Sequence, residues 1–382
     1  MEAQFGSIHG EDVTLIRTDS RDLSLKTSDL SLADRQYLVE YCGAPASIIT
    51  SGDSGVVERD VRLDTSEFSR LDDNLQLGDN PSEGYDLFET PHFLIASSGR
   101  VRPQATAETA ERLWFGMAFH HMNFRRDWGD KRMLILLVED RDSLEGLGAW
   151  YMQRLNRANQ QEFAARVSAT WGQAGSTVIH LDEETISKHN LHPTALVFNV
   201  TDNSRFRRGP SPFVIHAISG RLLAHQMGGI SSFGDEGYFA ITTGHAYFKE
   251  ISFGGEAETQ LLTVSGTAND EIGSQRGFDD GSSWSRTLRR MVRRGTVEPE
   301  LEPMLRWRSE ELNPERLVLI YSFAYYMQSD LQRLTAYANM IRRIESSNQI
   351  PPAIEIAKIF GFETVEELEN DWKAFIISRD FR

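Results

Sequence analysis

Residues Phe213–Phe248 read FVIHAISGRLLAHQMGGISSFGDEGYFAITTGHAYF, and their reading decides how the rest of the chain is understood. Pro212 suits the first position of a helix, because its missing N–H would be unpaired there anyway. Gly228 and Gly229 suit the end of that helix. A second helix-like run follows, approached through Gly-Asp-Glu-Gly at 234–237. His216 lies on the first helix and Glu236 stands near the start of the second.

The 382 residues around this pair are enough for two or three domains and at least one sizeable core. Hydrophobic residues make up 40% and charged ones 25%, the balance of a globular chain. A net charge of −16 argues against binding to nucleic acid or to an anionic membrane, whose phosphates would be repelled. No run of eighteen apolar residues occurs, so no membrane span is expected. The first residues are polar and do not read as a signal peptide. Cys42 is the one cysteine, which excludes an internal disulfide and a cysteine-based metal cluster.

Taken in order, residues 1–42 read as a small β unit. Val13, Leu15, Leu23 and Leu25 alternate with polar residues, and Ser31 is placed to cap a short helix over LADRQYLVEY. Residues 43–84 are rich in Ser, Gly and Asp and read as an acidic linker. From Tyr85 the texture changes. TPHFLIA reads as a strand, TAETAERLWFGMAFHHMNF as a helix, KRMLILLVED as a buried strand and DRDSLEGLGAWYMQRL as a helix. STVIHLDEE and ALVFNVTDN supply further strands before the central helix pair.

The last third is helical. Arg286, Arg289, Arg290, Arg293 and Arg294 form one basic face, which reads as a solvated surface balancing local acids rather than an anion contact. ERLVLIYSFAYYMQSDLQRLTAYANMIRRIE reads as a long helical stretch broken near Gln328-Ser329-Asp330. Pro351-Pro352 opens another helix, which Gly361 ends. Thr364 and Glu367 form a capping box for the last one. Strands precede a helix-rich half, an α+β layout.

Two resemblances refine this reading. Ala3, Phe5, Gly10, Val13, Leu15, Leu25, Leu30, Ser31, Asp34 and Tyr37 match the pattern of the SLA homology domain, an SH3-like module. That resemblance covers about 40 residues, lacks the family's first strand, and implies peptide binding through residues 1–42. Thr90-Pro91-His92-Phe93, His216, Glu236-Gly237, Tyr321, Ser329 and Phe360-Gly361 through Glu367-Leu368-Glu369-Asn370-Asp371-Trp372 match, in order, the peptidase-MA-like family of gluzincin fold. This covers residues 85–382 and implies a metallopeptidase-like domain. Members with an accessory module are commonly exported, so an exported or periplasmic location is implied.

In active gluzincins the helix reads H-E-x-x-H. Its two His, one turn apart, bind zinc, the Glu activates water, and a downstream Glu is the third ligand. Here the segment is His216-Ala217-Ile218-Ser219-Gly220. His216 fits the first ligand and Glu236 the third. Ala217 stands where the base belongs and Gly220 where the second His belongs. Two protein ligands rarely hold zinc, so no catalytic residue and no cofactor is expected, with zinc bound only if the chain is active.

His225, nine residues after His216, falls on the opposite side of the helix at about 100° per step. His245 stands nine residues after Glu236 and is discounted likewise. Ligands from elsewhere, for instance His120 or His121 on another helix, could complete a site only through tertiary packing. Without a metal, His216 reads as a core histidine bonded to Glu236 or a neighbouring carbonyl, or as part of a different binding site. Asp235-Glu236 is discounted as a carboxylate dyad, since adjacent helical residues diverge by about 100°. No G-x-S-x-G elbow, P-loop or G-x-G-x-x-G occurs, and GSSWS at 281–285 lacks the strand-to-helix setting of a nucleophile. The expectation is therefore a catalytically inactive metallopeptidase-like protein with a binding or structural role and a possible protein or peptide partner. The alternatives are a zinc peptidase with atypical ligands and a peptide-binding module at 1–42.

Overall fold

The computed structural model describes residues 3–9, 12–18, 21–27, 57–60, 62–77, 84–120, 128–172, 175–201, 211–228, 237–259 and 283–382, with isolated positions between 30 and 44. Of these, 3, 57, 60, 118–120, 310 and 331 are described in backbone only. At the N-terminus, β1 (Ala3–His9), β2 (Asp12–Arg17) and β3 (Asp22–Lys26) form a three-stranded antiparallel meander. Val13 pairs with Leu25 and Leu15 with Leu23, the alternation read from the sequence. Val13 is fully buried with Leu30, Leu38 and Ala44 around it. The proposed helix cap Ser31 lies outside the described residues.

The second sheet has the strand order β4-β5-β6-β7-β9-β8, formed by β4 (Ser69–Leu75), β5 (Tyr85–Glu89), β6 (Phe93–Ser98), β7 (Arg132–Val138), β8 (Ser176–His180) and β9 (Leu191–Asn199). β6, β7 and β9 run parallel, while β4, β5 and β8 are antiparallel to their neighbours. The parallel strands carry near-continuous apolar runs because both faces are covered. In β6, Phe93 and Ile95 face one core while Leu94 and Ala96 face the other.

The expected linker at 43–84 needs correcting, because the sheet begins at Ser69 rather than at Tyr85. β4 reads SRLDDNL and is exposed along most of its length. An edge strand with polar residues on both faces shows no period-two hydrophobic signal, so its sequence looks like a loop. Val57–Asp60 also forms a short helix, α1.

On one face of the sheet lie α3 (Arg141–Arg157) and α4 (Gln161–Thr170), packing Leu144, Leu147, Tyr151 and Val167 against Leu134 and Leu136. α5 (Glu183–His189), capped by Asp182, leads into β9. On the other face lie α2 (Gln104–His120), α6 (Pro212–Gln226) and α7 (Tyr238–Lys249). The C-terminal half adds α8 (Trp284–Arg293), α9 (Leu301–Arg306), α10 (Pro314–Met327), α11 (Leu331–Ser347), α12 (Ala353–Ile359) and α13 (Val365–Ile377). The result is a mixed α/β protein with its helices concentrated in the C-terminal half. Among the described residues no helix is long and apolar enough to cross a membrane.

Local chemistry explains the helix boundaries. The long C-terminal stretch breaks at 328–330, where Asp330 caps α11 by accepting from the Arg333 backbone N–H. Thr364 and Glu367 form their capping box. Gly244 lets α7 approach α10, since a Cβ there would stand 2.7 Å from the Ile320 carbonyl oxygen. The arginine face of α8 is more than a solvated surface. Arg289 donates to the carbonyls of Ile376 and Phe381, and Arg293 to that of Ile377, so these side chains satisfy acceptors at the end of α13 and in the segment after it.

Candidate functional site: a carboxylate-held histidine on the central helix pair

α6 starts as the sequence predicts, with Pro212 in its first turn. His216 sits one turn in and points toward the end of α7. Its ring meets Tyr247 edge-on at 4.5 Å, and its Nδ1 lies 2.8 Å from Glu250 Oε2. Glu250 is the first residue of a π-helical turn, Glu250–Gly254, that extends α7. Turns of this kind redirect side chains and recur at functional sites.

The carboxylate of Glu250 is fully buried, and its other oxygen is saturated. Oε1 accepts from the backbone N–H groups of Glu258 and Thr259, at 2.7 and 2.8 Å, and from the Thr259 hydroxyl at 2.9 Å. Tyr247 donates its hydroxyl to the Thr259 carbonyl at 2.7 Å. Burial, and then the charge of Glu250, holds the Tyr247 phenol well above its ordinary pKa, so it stays a neutral donor. Ser211, before α6, donates to Glu258. Together these bonds tie the start of α6 to the segment after α7.

A carboxylate on Nδ1 selects the tautomer with hydrogen on that nitrogen and leaves the Nε2 lone pair available. The ring is 13% exposed. Chemically the arrangement can accept a proton at Nε2 or donate one lone pair to a metal.

The positions that should complete a zinc site do not. Ala217 is half-buried and packs against the hydrophobic core. Gly220 faces α7, where a Cβ would stand 3.4 Å from that of Ala246. Positions 216 and 220 thus share the face the spacing predicts, and no proton acceptor or second ligand stands at 217 or 220. Glu236, Asp235 and His121 lie outside the described residues, as does the side chain of His120. The carboxylate bonded to His216 is Glu250, fourteen residues beyond the Glu236 expected from the sequence. Among the described residues no group of three or more His, Cys, Asp or Glu is placed to hold a metal ion.

His225 is on the far side of α6, as its spacing requires. It meets His192 at 4.3 Å and Trp128 at 4.9 Å between ring centroids. Burial, with the neighbouring Lys131 and Arg221 charges, pushes His192 down to about 4. Burial, with His192 and Arg221, pushes His225 down to about 3. His245 is enclosed by α10 and α11, with its Nδ1 3.2 Å from the Tyr337 hydroxyl and 3.5 Å from Gln328 Nε2. Neither residue reaches the His216 pair.

A second pair was not foreseen. His92, in the Thr90-Pro91-His92-Phe93 motif before β6, places Nδ1 2.7 Å from Glu111 Oε2. Glu111 Oε1 accepts from the Thr90 hydroxyl and the His92 backbone N–H. The His92 ring stacks on Trp114 at 3.4 Å. Its sequence signal was only a histidine at a strand start, with the carboxylate on the following helix.

Comparison of the chain with family models, with curated proteins and with solved structures finds no match.

Proposed function

We propose that this chain is a catalytically inactive metallopeptidase-like protein of gluzincin type, acting through binding or as a structural component. One observation carries the reading: the positions of α6 that would need a base and a second histidine carry Ala217, half-buried against the core, and Gly220, against Ala246. Water activation by a zinc peptidase requires a proton acceptor beside the metal and at least three protein ligands. The strands-first order, the buried parallel strands and the apposed α6 and α7 support the gluzincin comparison, and the N-terminal meander supports the SH3-like one. The expected result is no chelator-sensitive cleavage of a casein-type substrate by the purified chain. Cleavage that stops with chelator and with His216→Ala would end this reading.

The second reading is a zinc peptidase with atypical ligands. It is favoured by the pair itself, since a carboxylate on one imidazole nitrogen is the support that metal-bound histidines use. Its mark would be metal that His216→Ala releases. Peptide binding through residues 1–42 is the remaining alternative. Titration of short acidic, aromatic-containing peptides into the full chain tests it, and no change at roughly millimolar peptide, the weakest affinity of interest, counts against it.

A further inference from the structure

Glu58 stands on the one-turn helix α1, in the stretch whose sequence looked like linker. Its side chain is completely buried and its Oε1 lies 2.5 Å from Lys249 Nζ, itself 2% exposed. The neighbouring Arg59 is exposed. The ammonium also lies 5.5 Å from the Phe248 ring centroid.

The space that Glu58 enters is shaped for it. It lies against Gly116, inside α2, where a Cβ would stand 2.6 Å from Glu58 Cγ. A glycine in a helix interior weakens the helix relative to alanine, and here its missing side chain is what admits the glutamate. The fit is specific but incompletely satisfied. Among the described residues Glu58 has no hydrogen-bond donor besides the Lys249 ammonium. A buried ion pair of this sort approaches break-even against its own desolvation, whereas losing one partner is costly. Such a contact selects its occupant strongly and holds it weakly.

We propose that Gly116 and Lys249 form a socket for a glutamate side chain, closed in cis by Glu58, and that an acidic peptide can occupy it in trans once the cis carboxylate is removed. The ligand class is a carboxylate-bearing segment able to form one helical turn, with this chain's own sequence around Glu58 as the reference occupant. The inference stands independently of the metallopeptidase reading.

Two measurements on the full chain test it. The first is trypsin cleavage at Arg59 and Arg62, which follow the anchor, in the wild type, Glu58→Gln, Lys249→Met and Gly116→Ala. Each variant is expected to be cut there at least roughly tenfold faster, ahead of cleavage elsewhere. Unchanged cleavage at these two sites would overturn the proposal, as would acceleration that only tracks cutting across the whole chain. The second is binding of a synthetic peptide spanning residues 52–66 to Glu58→Ala. Binding at least roughly tenfold tighter than to the wild type, lost in Glu58→Ala/Lys249→Met, is expected. Glu58→Gln serves if the alanine variant does not fold. Equal binding to the wild type and the variant, no binding to either, or binding that survives loss of Lys249 would each contradict it.

Discussion

The two glutamate–histidine pairs are built to the same plan and differ in what they connect. In each, the imidazole Nδ1 meets a buried carboxylate oxygen, at 2.7 Å for His92 and 2.8 Å for His216. In each, the other carboxylate oxygen is held by a threonine hydroxyl and backbone N–H. The His92 pair is local: Glu111 binds the ring, the backbone and the preceding threonine of one turn, and Trp114 covers a face of the ring. The His216 pair joins α6 to a π-helical turn 34 residues away and to residues 258–259 beyond it. Among the described residues a carboxylate-oriented imidazole therefore occurs twice, once at a strand start where no catalytic motif was read. Orientation by a carboxylate alone is not the mark of a metal centre, and the neighbouring ligands have to decide.

The comparison is sharpest when the carboxylates are removed. Glu250→Ala leaves three donors and the His216 ring without their acceptor in a fully buried site, and is expected to cost about 3–5 kcal/mol. Glu111→Ala abandons fewer donors and is expected to cost about 2–3 kcal/mol. Denaturant midpoints of the two variants check both values. Equal losses would remove the distinction between a long-range tie and a local one.

The histidines on the far side of α6 add a pH test. His192 and His225 are held neutral, with folded pKa values of about 4 and about 3, below the unfolded value near 6.5. The unfolded chain therefore binds more protons as the pH falls below about 6.5, and the folded state loses stability down to about pH 3. The melting temperature should fall across that window. His225→Phe, which removes one buried imidazole, should flatten the fall. A curve independent of pH between about 6.5 and 4 would contradict the burial of this cluster.

The smallest expected effect lies where α8 meets the chain's C-terminal segment. Arg289→Ala removes side-chain donors to the end of α13 and is expected to cost about 1 kcal/mol, read as a shift in the denaturant midpoint.

Much of the fold was legible because its signals are local. Pro212 opened α6, the Gln328-Ser329-Asp330 break divided α10 from α11, and Thr364 with Glu367 started α13. The solid apolar run of β7 announced a strand covered on both faces. β4 was not legible, because in SRLDDNL the two core-facing residues Leu71 and Leu75 are separated by acidic residues and an irregular register, which hides the period. The site was legible in part for a similar reason. Helical spacing placed His216 and Gly220 on one face and His225 opposite. The partner Glu250 was hidden, because the pairing depends on how the end of α7 packs against α6. Glu111 was hidden because its link to His92 depends on how α2 packs beside the start of β6. Tertiary pairs between residues of different elements leave no period in the sequence.

The most direct test of the central claim is the zinc content of the wild-type chain, purified and equilibrated with excess zinc, then desalted and measured by elemental analysis. With Ala217 and Gly220 in the places of a base and a ligand, the chain should retain less than about one-tenth of an equivalent. Retention of a full equivalent, released by His216→Ala but kept by His92→Ala, would contradict the account.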